Sequence, residues 1–183
     1  MITVVHPNDR TTAVLKGLYE GQNVCLLDER MTNAEIRHGL HRADPFEPLM
    51  LLGHGSDRGL FSRIDDTQEN FDRILVGKHH LYYLRRQHRI IGIWCHADLF
   101  ARQYHLCGLF TGMFISEMAE AEEYGVLTNP EELQIELQKF VLRLRTLLNV
   151  GVAYHEIPQR LQALDDVHSA LTKFNYERIY FIS

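Results

Sequence analysis

Two short motifs contain the side chains best suited to catalysis. One is a Gly-His-Gly-Ser motif whose histidine is His54, and the other is a Trp-Cys-His-Ala motif whose cysteine is Cys95. A thiolate beside an imidazole can attack a carbonyl carbon while the imidazole carries the proton to the leaving group. These residue types therefore predict nucleophilic catalysis, with Cys95 as the nucleophile and His54 as the general acid/base.

The glycine after His54 has a second use in such chemistry. Gly55 lets the backbone come close to a substrate, so that its N–H can point at a developing oxyanion. The backbone N–H of Cys95 is the expected second donor. We therefore expect the oxyanion hole to be formed by the backbone of Gly55 and Cys95.

The elements that must position these residues are those of an α/β fold with a mainly parallel sheet, because short apolar runs alternate with amphipathic stretches. Strands are predicted at residues 2–6, 23–28, 48–53, 89–95 and 178–182, with a strand or buried turn at 109–115. Helices are predicted at 11–19, 32–40, 70–87, 97–104, 116–124, 129–151 and 158–174, with a hairpin or loop at 59–66. All of these elements are assigned to one domain spanning residues 1–183.

Both motifs directly follow predicted strands. The runs at 48–53 and 89–95 are almost entirely apolar, which is expected of parallel strands covered on both faces. Open α/β sheets bind ligands at the carboxyl ends of their strands. If these two strands are neighbours, His54 and Cys95 face one crevice.

This order of an apolar strand, His-Gly, a connecting segment, and an apolar strand ending in Cys resembles the caspase-like cysteine peptidases. That group includes caspases, metacaspases, gingipains, clostripain-like enzymes and separase. Gly59-Leu60 stands where the family has a short hairpin, and the resemblance covers residues 1–125. It implies a three-layer α/β fold, with a mostly parallel sheet of about six strands and helices on both faces.

The resemblance also implies a function. His54 and Cys95 would be the dyad of an endopeptidase acting on a peptide or protein substrate, with no cofactor and no metal. Five further residues near the same sheet edge are candidates for the substrate cleft: Asp28, Asp57, Trp94, His96 and Asp98. The acidic run at 117–123 is interpreted as a solvent-facing helix, although Glu117 follows apolar residues and could turn inward.

Three alternatives remain open. Sirohydrochlorin-type metal chelatases carry the same Gly-His-Gly-Ser motif at a strand end, where the histidine contacts the metal. The second alternative is a caspase-like domain that has lost catalysis and acts as a scaffold. The third alternative is a zinc site, although the spacing of its possible ligands matches no zinc-finger pattern. These ligands would be Cys95, His96, His105 and Cys107.

Composition and charge exclude several classes of protein. The chain has 183 residues, of which 45% are hydrophobic, and a net charge of -5, which argues against a nucleic-acid-binding protein. It has no signal peptide pattern and no apolar run long enough to span a membrane. Three cysteines do not form a disulfide framework, so we expect a cytoplasmic protein with reduced thiols. Formation of an oligomer is left open.

Overall fold

The nine strands found among the described residues are short and largely apolar. The computed structural model describes residues 1–63, 71 and 73–183. The strands are β1 (Ile2–Val5), β2 (Val24–Leu27), β3 (Leu49–Leu52), β4 (Gly55–Ser56), β5 (Gly59–Ser62), β6 (Arg73–Gly77), β7 (Ile90–Ile93), β8 (Gly108–Thr111) and β9 (Ile179–Ile182).

Six of these strands form the central sheet in the order β2-β1-β3-β7-β8-β9. Its neighbouring strands are parallel except β9, which runs antiparallel to β8. β3 and β7 pair directly, with Leu52 opposite Ile93. The carboxyl ends of the strands before His54 and Cys95 therefore lie side by side, as predicted.

Helices cover both faces of this sheet. They are α1 (Asn33–Arg42), α2 (Leu81–Leu84), α3 (Ala97–Tyr104), α4 (Met118–Glu123), α5 (Pro130–Asn149), α6 (Ile157–Ala163) and α7 (Ala170–Tyr176). One core contains buried residues of α4, α5, α6 and α7, and the other contains buried residues of α1, α2 and α3.

The strand sequences explain why there are two cores. Successive side chains of a strand point to opposite faces of a sheet. Met50 and Leu52 accordingly belong to the first core, while Leu49 and Leu51 belong to the second. The predicted α/β fold, with a mostly parallel six-stranded sheet and helices on both faces, is confirmed.

A second, smaller sheet follows His54. It consists of β4, β5 and β6 in antiparallel order, with Asp57 and Arg58 in the tight turn between β4 and β5. The predicted hairpin at 59–66 thus begins earlier, at Gly55, and its residues 64–66 lie outside the described part of the chain.

The predicted helix at 70–87 is wrong. Residues 70 and 72 lie outside the described part, and Arg73–Gly77 is a strand. Its Leu75 and Val76 are buried in the second core while β5 satisfies the backbone of the strand. The helical part is confined to a 3₁₀ turn at Lys78–His80 and to α2. The burial and pairing of this apolar run make it a strand, although it lies within a longer stretch that looks helical.

Three other helix predictions change in detail. The helix predicted at 11–19 is a 3₁₀ helix at Ala13–Leu18. The helix predicted at 158–174 is two helices, α6 and α7, because the Asp165 carboxylate accepts hydrogen bonds from the backbone N–H of Val167 and His168 and fixes a turn there. The helix predicted at 116–124 is the shorter α4.

The long helix α5 begins as its sequence predicts. The Asn129 side chain accepts a hydrogen bond from the N–H of Glu132 at 2.9 Å, and Pro130 occupies the first turn. Within the described ranges, no helix has both the length and the apolar character needed to cross a membrane.

Candidate active site

The backbone around His54 is held between the two sheets. Gly53, which follows β3, donates its N–H to the carbonyl of Ile93 at 3.0 Å and has a φ of 143°. The carbonyl of His54 accepts the N–H of Phe61, in β5, at 2.8 Å. The histidine therefore stands on a backbone fixed to both β7 and the hairpin.

Three polar side chains surround the imidazole of His54. Its Nε2 lies 2.6 Å from the Thr11 hydroxyl, 3.2 Å from Glu117 Oε1 and 3.7 Å from Asp9 Oδ1. The Thr11 hydroxyl donates its own proton to Asp9 Oδ1 at 2.5 Å, so it accepts from the Nε2–H of His54. The imidazole is only 10% exposed, and this network fixes its position.

The carboxylates determine the charge of His54. Burial alone would lower its pKa, but the hydrogen bonds and charges of Asp9 and Glu117 outweigh burial and raise the pKa to about 9. In return, the pKa of Asp9 is lowered despite its burial, chiefly by hydrogen bonds from His54 and Thr11. Hydrogen bonding to His54 also lowers the pKa of Glu117. The resting histidine is therefore an imidazolium at neutral pH.

Asp9 has a second cationic partner. Arg63, which follows β5, places its Nε 2.8 Å from Asp9 Oδ2, and its guanidinium lies over the ring of Phe71 at 4.5 Å. The Asp9 carboxylate thus bridges the imidazolium of His54 and the guanidinium of Arg63, which connects the histidine to the end of the hairpin.

Cys95 stands on a tight turn between a strand and a helix. β7 ends at Ile93 and α3 begins at Ala97. Between them, His96 has a φ of 66°, a left-handed conformation that is uncommon for residues other than glycine, and its N–H donates to the carbonyl of Gly112 at 3.1 Å. This turn presents Cys95 at the carboxyl edge of the sheet.

The thiol of Cys95 is hydrogen-bonded and protonated at rest. Its Sγ lies 3.5 Å from the carbonyl oxygen of Phe114 and 3.5 Å from Glu120 Oε1, and both oxygens accept the thiol proton. Burial, followed by the negative charge of Glu120, raises the pKa of the thiol to about 12. An unassisted thiolate is therefore rare at neutral pH.

His54 and Cys95 line the same small cavity. Its volume is about 20 Å³, enough for roughly one water molecule, and its walls include Thr11, Ile93 and Phe114. No hydrogen bond joins the two residues directly within the part of the chain that the structure describes, since each side chain has the other partners given above.

A wider groove adjoins this cavity. It has a volume of about 540 Å³ and shares Thr11, Val14, Ser116 and Leu137 with the cavity. It runs between the 3₁₀ helix after β1 and the first turns of α5.

The start of α4 contacts both candidate catalytic side chains. Glu117, just before this helix, binds His54, while Glu120 in its first turn accepts the thiol proton of Cys95. The other oxygen of Glu120 accepts the N–H groups of Ser116 at 2.7 Å and Glu117 at 3.1 Å. Glu117 thus turns inward, the alternative that the apolar residues before it allow, whereas the interpretation of the acidic run as solvent-facing does not hold for Glu120.

The cleft candidates are not brought together as a group. Only Trp94 lines the cavity, and its indole N–H donates to the carbonyl of Ser56 at 2.9 Å. Asp28 binds Arg30, two residues further along the chain, and Asp98 lies 3.8 Å from Arg102. Asp57 lies in the β4–β5 turn, beside a different groove.

Gly55 is held by packing. A Cβ atom at this position would lie 2.3 Å from both the carbonyl oxygen of Gly59 and Cδ1 of Trp94, so only glycine fits there. The residues that line the cavity include Gly53 and Cys95 but not Gly55. Of the two expected oxyanion donors, Cys95 is therefore the one placed at the cavity.

Asp9, Thr11 and Glu120 are site residues that the sequence analysis missed. Asp9 and Thr11 lie in the loop after β1, which pairs directly with β3. The order of the strands in the sheet was needed to place these two residues beside His54, because the ends of β1 and β3 meet only if the two strands are neighbours.

Among residues 1–63, 71 and 73–183, no group of three or more His, Cys, Asp or Glu side chains is arranged to hold a metal ion. Compared with models of known protein families and with curated protein sequences, the chain matches none.

Proposed function

We propose that this protein is a cysteine hydrolase, most consistent with an endopeptidase, in which Cys95 is the nucleophile and His54 the general acid/base. One observation carries the proposal. His54 and Cys95 come from the ends of two neighbouring parallel strands and line one cavity. The Cys95 turn supports it, because hydrolases also present a nucleophile on a sharp turn from a strand to a helix.

In this mechanism the imidazole carries one proton through the reaction. Neutral His54 takes the thiol proton of Cys95, and Sγ attacks the carbonyl carbon of the substrate. The imidazolium gives that proton to the leaving amine as the C–N bond breaks, which leaves a thioester on Cys95. The imidazole then removes a proton from water, the resulting hydroxide attacks the thioester, and the proton returns to the departing sulfur.

The cost of the first transfer follows from the two pKa values. The thiol has a pKa of about 12 and the imidazolium a pKa of about 9. This difference corresponds to roughly 4 kcal/mol, which is small compared with the barriers that enzymes lower. The mechanism nevertheless needs His54 in its neutral form, which becomes abundant only near pH 9.

The test is cleavage of a fluorogenic peptide library between pH 6 and pH 10. We expect cleavage by the wild type to reach about half of its maximum at pH 9 and to approach that maximum at pH 10, and to be lost in both Cys95→Ala and His54→Ala. Cys107→Ser is the matched control, because Cys107 is exposed and does not line the cavity. Cleavage that survives in Cys95→Ala would refute the assignment of the nucleophile.

A peptide probe with an electrophilic carbonyl provides an independent readout. It should modify Cys95 and leave Cys107 largely unmodified, although Cys107 is the more exposed thiol. Modification of Cys107 alone, together with no cleavage of any library member, would contradict the hydrolase proposal.

A non-catalytic scaffold is the second candidate, and one observation favours it. Both candidate catalytic side chains are engaged by other groups at rest, and the cavity between them has room for only about one water molecule. A scaffold predicts that the probe modifies Cys107 alone and that no peptide of the library is cleaved.

A further inference from the structure

A second groove lies away from the His54–Cys95 cavity. Its volume is about 460 Å³, within the range typical of small-molecule sites. α1, the β4–β5 turn, the 3₁₀ turn after β6 and the end of α3 contribute its walls. It shares no lining residue with the cavity or with the wider groove next to it.

The walls of this second groove carry an excess of positive charge. Arg37, Arg58 and Lys78 line it, against the single carboxylate of Asp57. None of these three cations forms an ion pair with any residue in the described ranges. The whole chain has a net charge of -5, so a cluster of unpaired cations around one concave surface is unlike its average surface.

A buried histidine donor adds to this cluster. His80 is 5% exposed and lines the groove. Its Nδ1 accepts the N–H of Gly77 at 3.2 Å, so the proton of the neutral ring is on Nε2. This Nε2 has no hydrogen-bond partner in the described part of the chain, and a buried donor of this kind is costly unless a ligand satisfies it.

The protonation state of His80 agrees with a single hydrogen on Nε2. Burial, and then the positive charges of Arg37 and Arg73, lower the pKa of His80. The imidazole is therefore neutral at pH 7, so the unpartnered Nε2 carries a hydrogen and the ring adds no charge to the groove.

We infer that this groove binds the phosphate groups of a small, nucleotide-sized ligand, held by Arg37, Arg58 and Lys78 with the His80 Nε2–H as an additional donor. A guanidinium presents its N–H donors in a planar fork that matches phosphate oxygens, and two arginines face this groove from different elements. The Tyr104 side chain forms part of the wall beside them. This inference is independent of the proposed peptidase activity.

The test is isothermal titration calorimetry at 150 mM NaCl with ATP, ADP, tripolyphosphate and inorganic phosphate as separate ligands. We expect saturable one-to-one binding of ATP and ADP. Arg37→Gln and Arg58→Gln should each weaken this binding by at least about tenfold, as expected for loss of one charge-assisted contact.

Arg42→Gln is the matched control, because Arg42 lies on the same helix as Arg37 but does not line the groove. It should change the affinity by less than about twofold. Circular dichroism of each variant verifies that the fold is retained.

Three outcomes would overturn the inference. The first is no saturable binding of any of the four ligands. The second is an equal loss of affinity in Arg42→Gln, which would show general attraction to a positive surface. The third is that a hexaglutamate peptide binds as tightly as ATP, because the groove would then recognise an acidic peptide.

Discussion

Replacing Glu120 by Gln should make the Cys95 thiol more reactive. The Glu120 Oε1 carboxylate oxygen lies 3.5 Å from Sγ, so its negative charge opposes formation of the thiolate. At that distance, Coulomb's law gives about 1 kcal/mol in water and about 5 kcal/mol at an effective dielectric constant near 20. Removing the charge should therefore lower the pKa of Cys95 by roughly one to three and a half units.

Burial, the largest cause of the raised pKa, is unchanged in this variant, so the pKa of Cys95 should fall from about 12 to between about 11 and about 8.5, the value of an ordinary thiol. Glutamine retains a side-chain oxygen that can accept the N–H groups of Ser116 and Glu117, so the start of α4 should be preserved. The main change is thus electrostatic.

The assay is alkylation with iodoacetamide between pH 7 and pH 10, followed by mass spectrometry of the peptides. Each thiol is then measured separately, and exposed Cys107 serves as an internal reference. We expect the Cys95 rate in Glu120→Gln to be at least about tenfold above the wild-type rate at pH 8.

Glu122→Gln is the matched control, since Glu122 is an exposed residue of the same helix. An unchanged Cys95 rate in Glu120→Gln, or an equal increase in Glu122→Gln, would refute the claim that the Glu120 carboxylate holds the thiol in its protonated form.

Four further predictions concern stability and pH. The pKa of His54 is raised to about 9 in the folded protein, so its contribution to stability is fully present below pH 6.5 and is lost as the pH rises through 9. Between pH 6 and pH 9.5, urea unfolding should show a decrease of up to about 3 kcal/mol in the free energy of unfolding. This decrease should be much smaller in His54→Ala. Asp9→Asn should lower the pKa of His54, which NMR titration of the imidazole would show, while Asp44→Asn, on an exposed loop, should leave it unchanged. Gly55→Ala should reduce the free energy of unfolding by about 1 to 3 kcal/mol, because its Cβ would clash with the backbone of Gly59 and with Trp94; equal thermal stability would show that the hairpin moves freely. Asn129→Ala should cost about 1 kcal/mol through loss of the cap of α5, measured against Gln138→Ala, at an exposed position of the same helix, as the control.

The sequence alone was sufficient for most of the sheet. The apolar runs before His54 and Cys95 became β3 and β7, and the cap at Asn129 marked the start of α5. These features depend on local composition and on residues near in sequence, so they could be recognised without knowing the fold.

The segment at Arg73–Gly77 shows where local reasoning failed. It lies within a longer stretch that looks helical, and pairing with β5 and burial of Leu75 and Val76 in the second core make it a strand. β propensity depends on the strands and cores that surround a segment, and those partners are not visible in the segment itself.

The sequence by itself determined which chemical groups stand at the ends of two apolar strands, because the type and position of His54 and Cys95 are local properties of the chain. Only the tertiary structure decided their protonation. It brought Asp9 and Glu117 to the imidazole and Glu120 to the thiol, from segments far apart in the chain. A pKa depends on burial and on charges within a few ångströms, and both are set by how the whole chain packs.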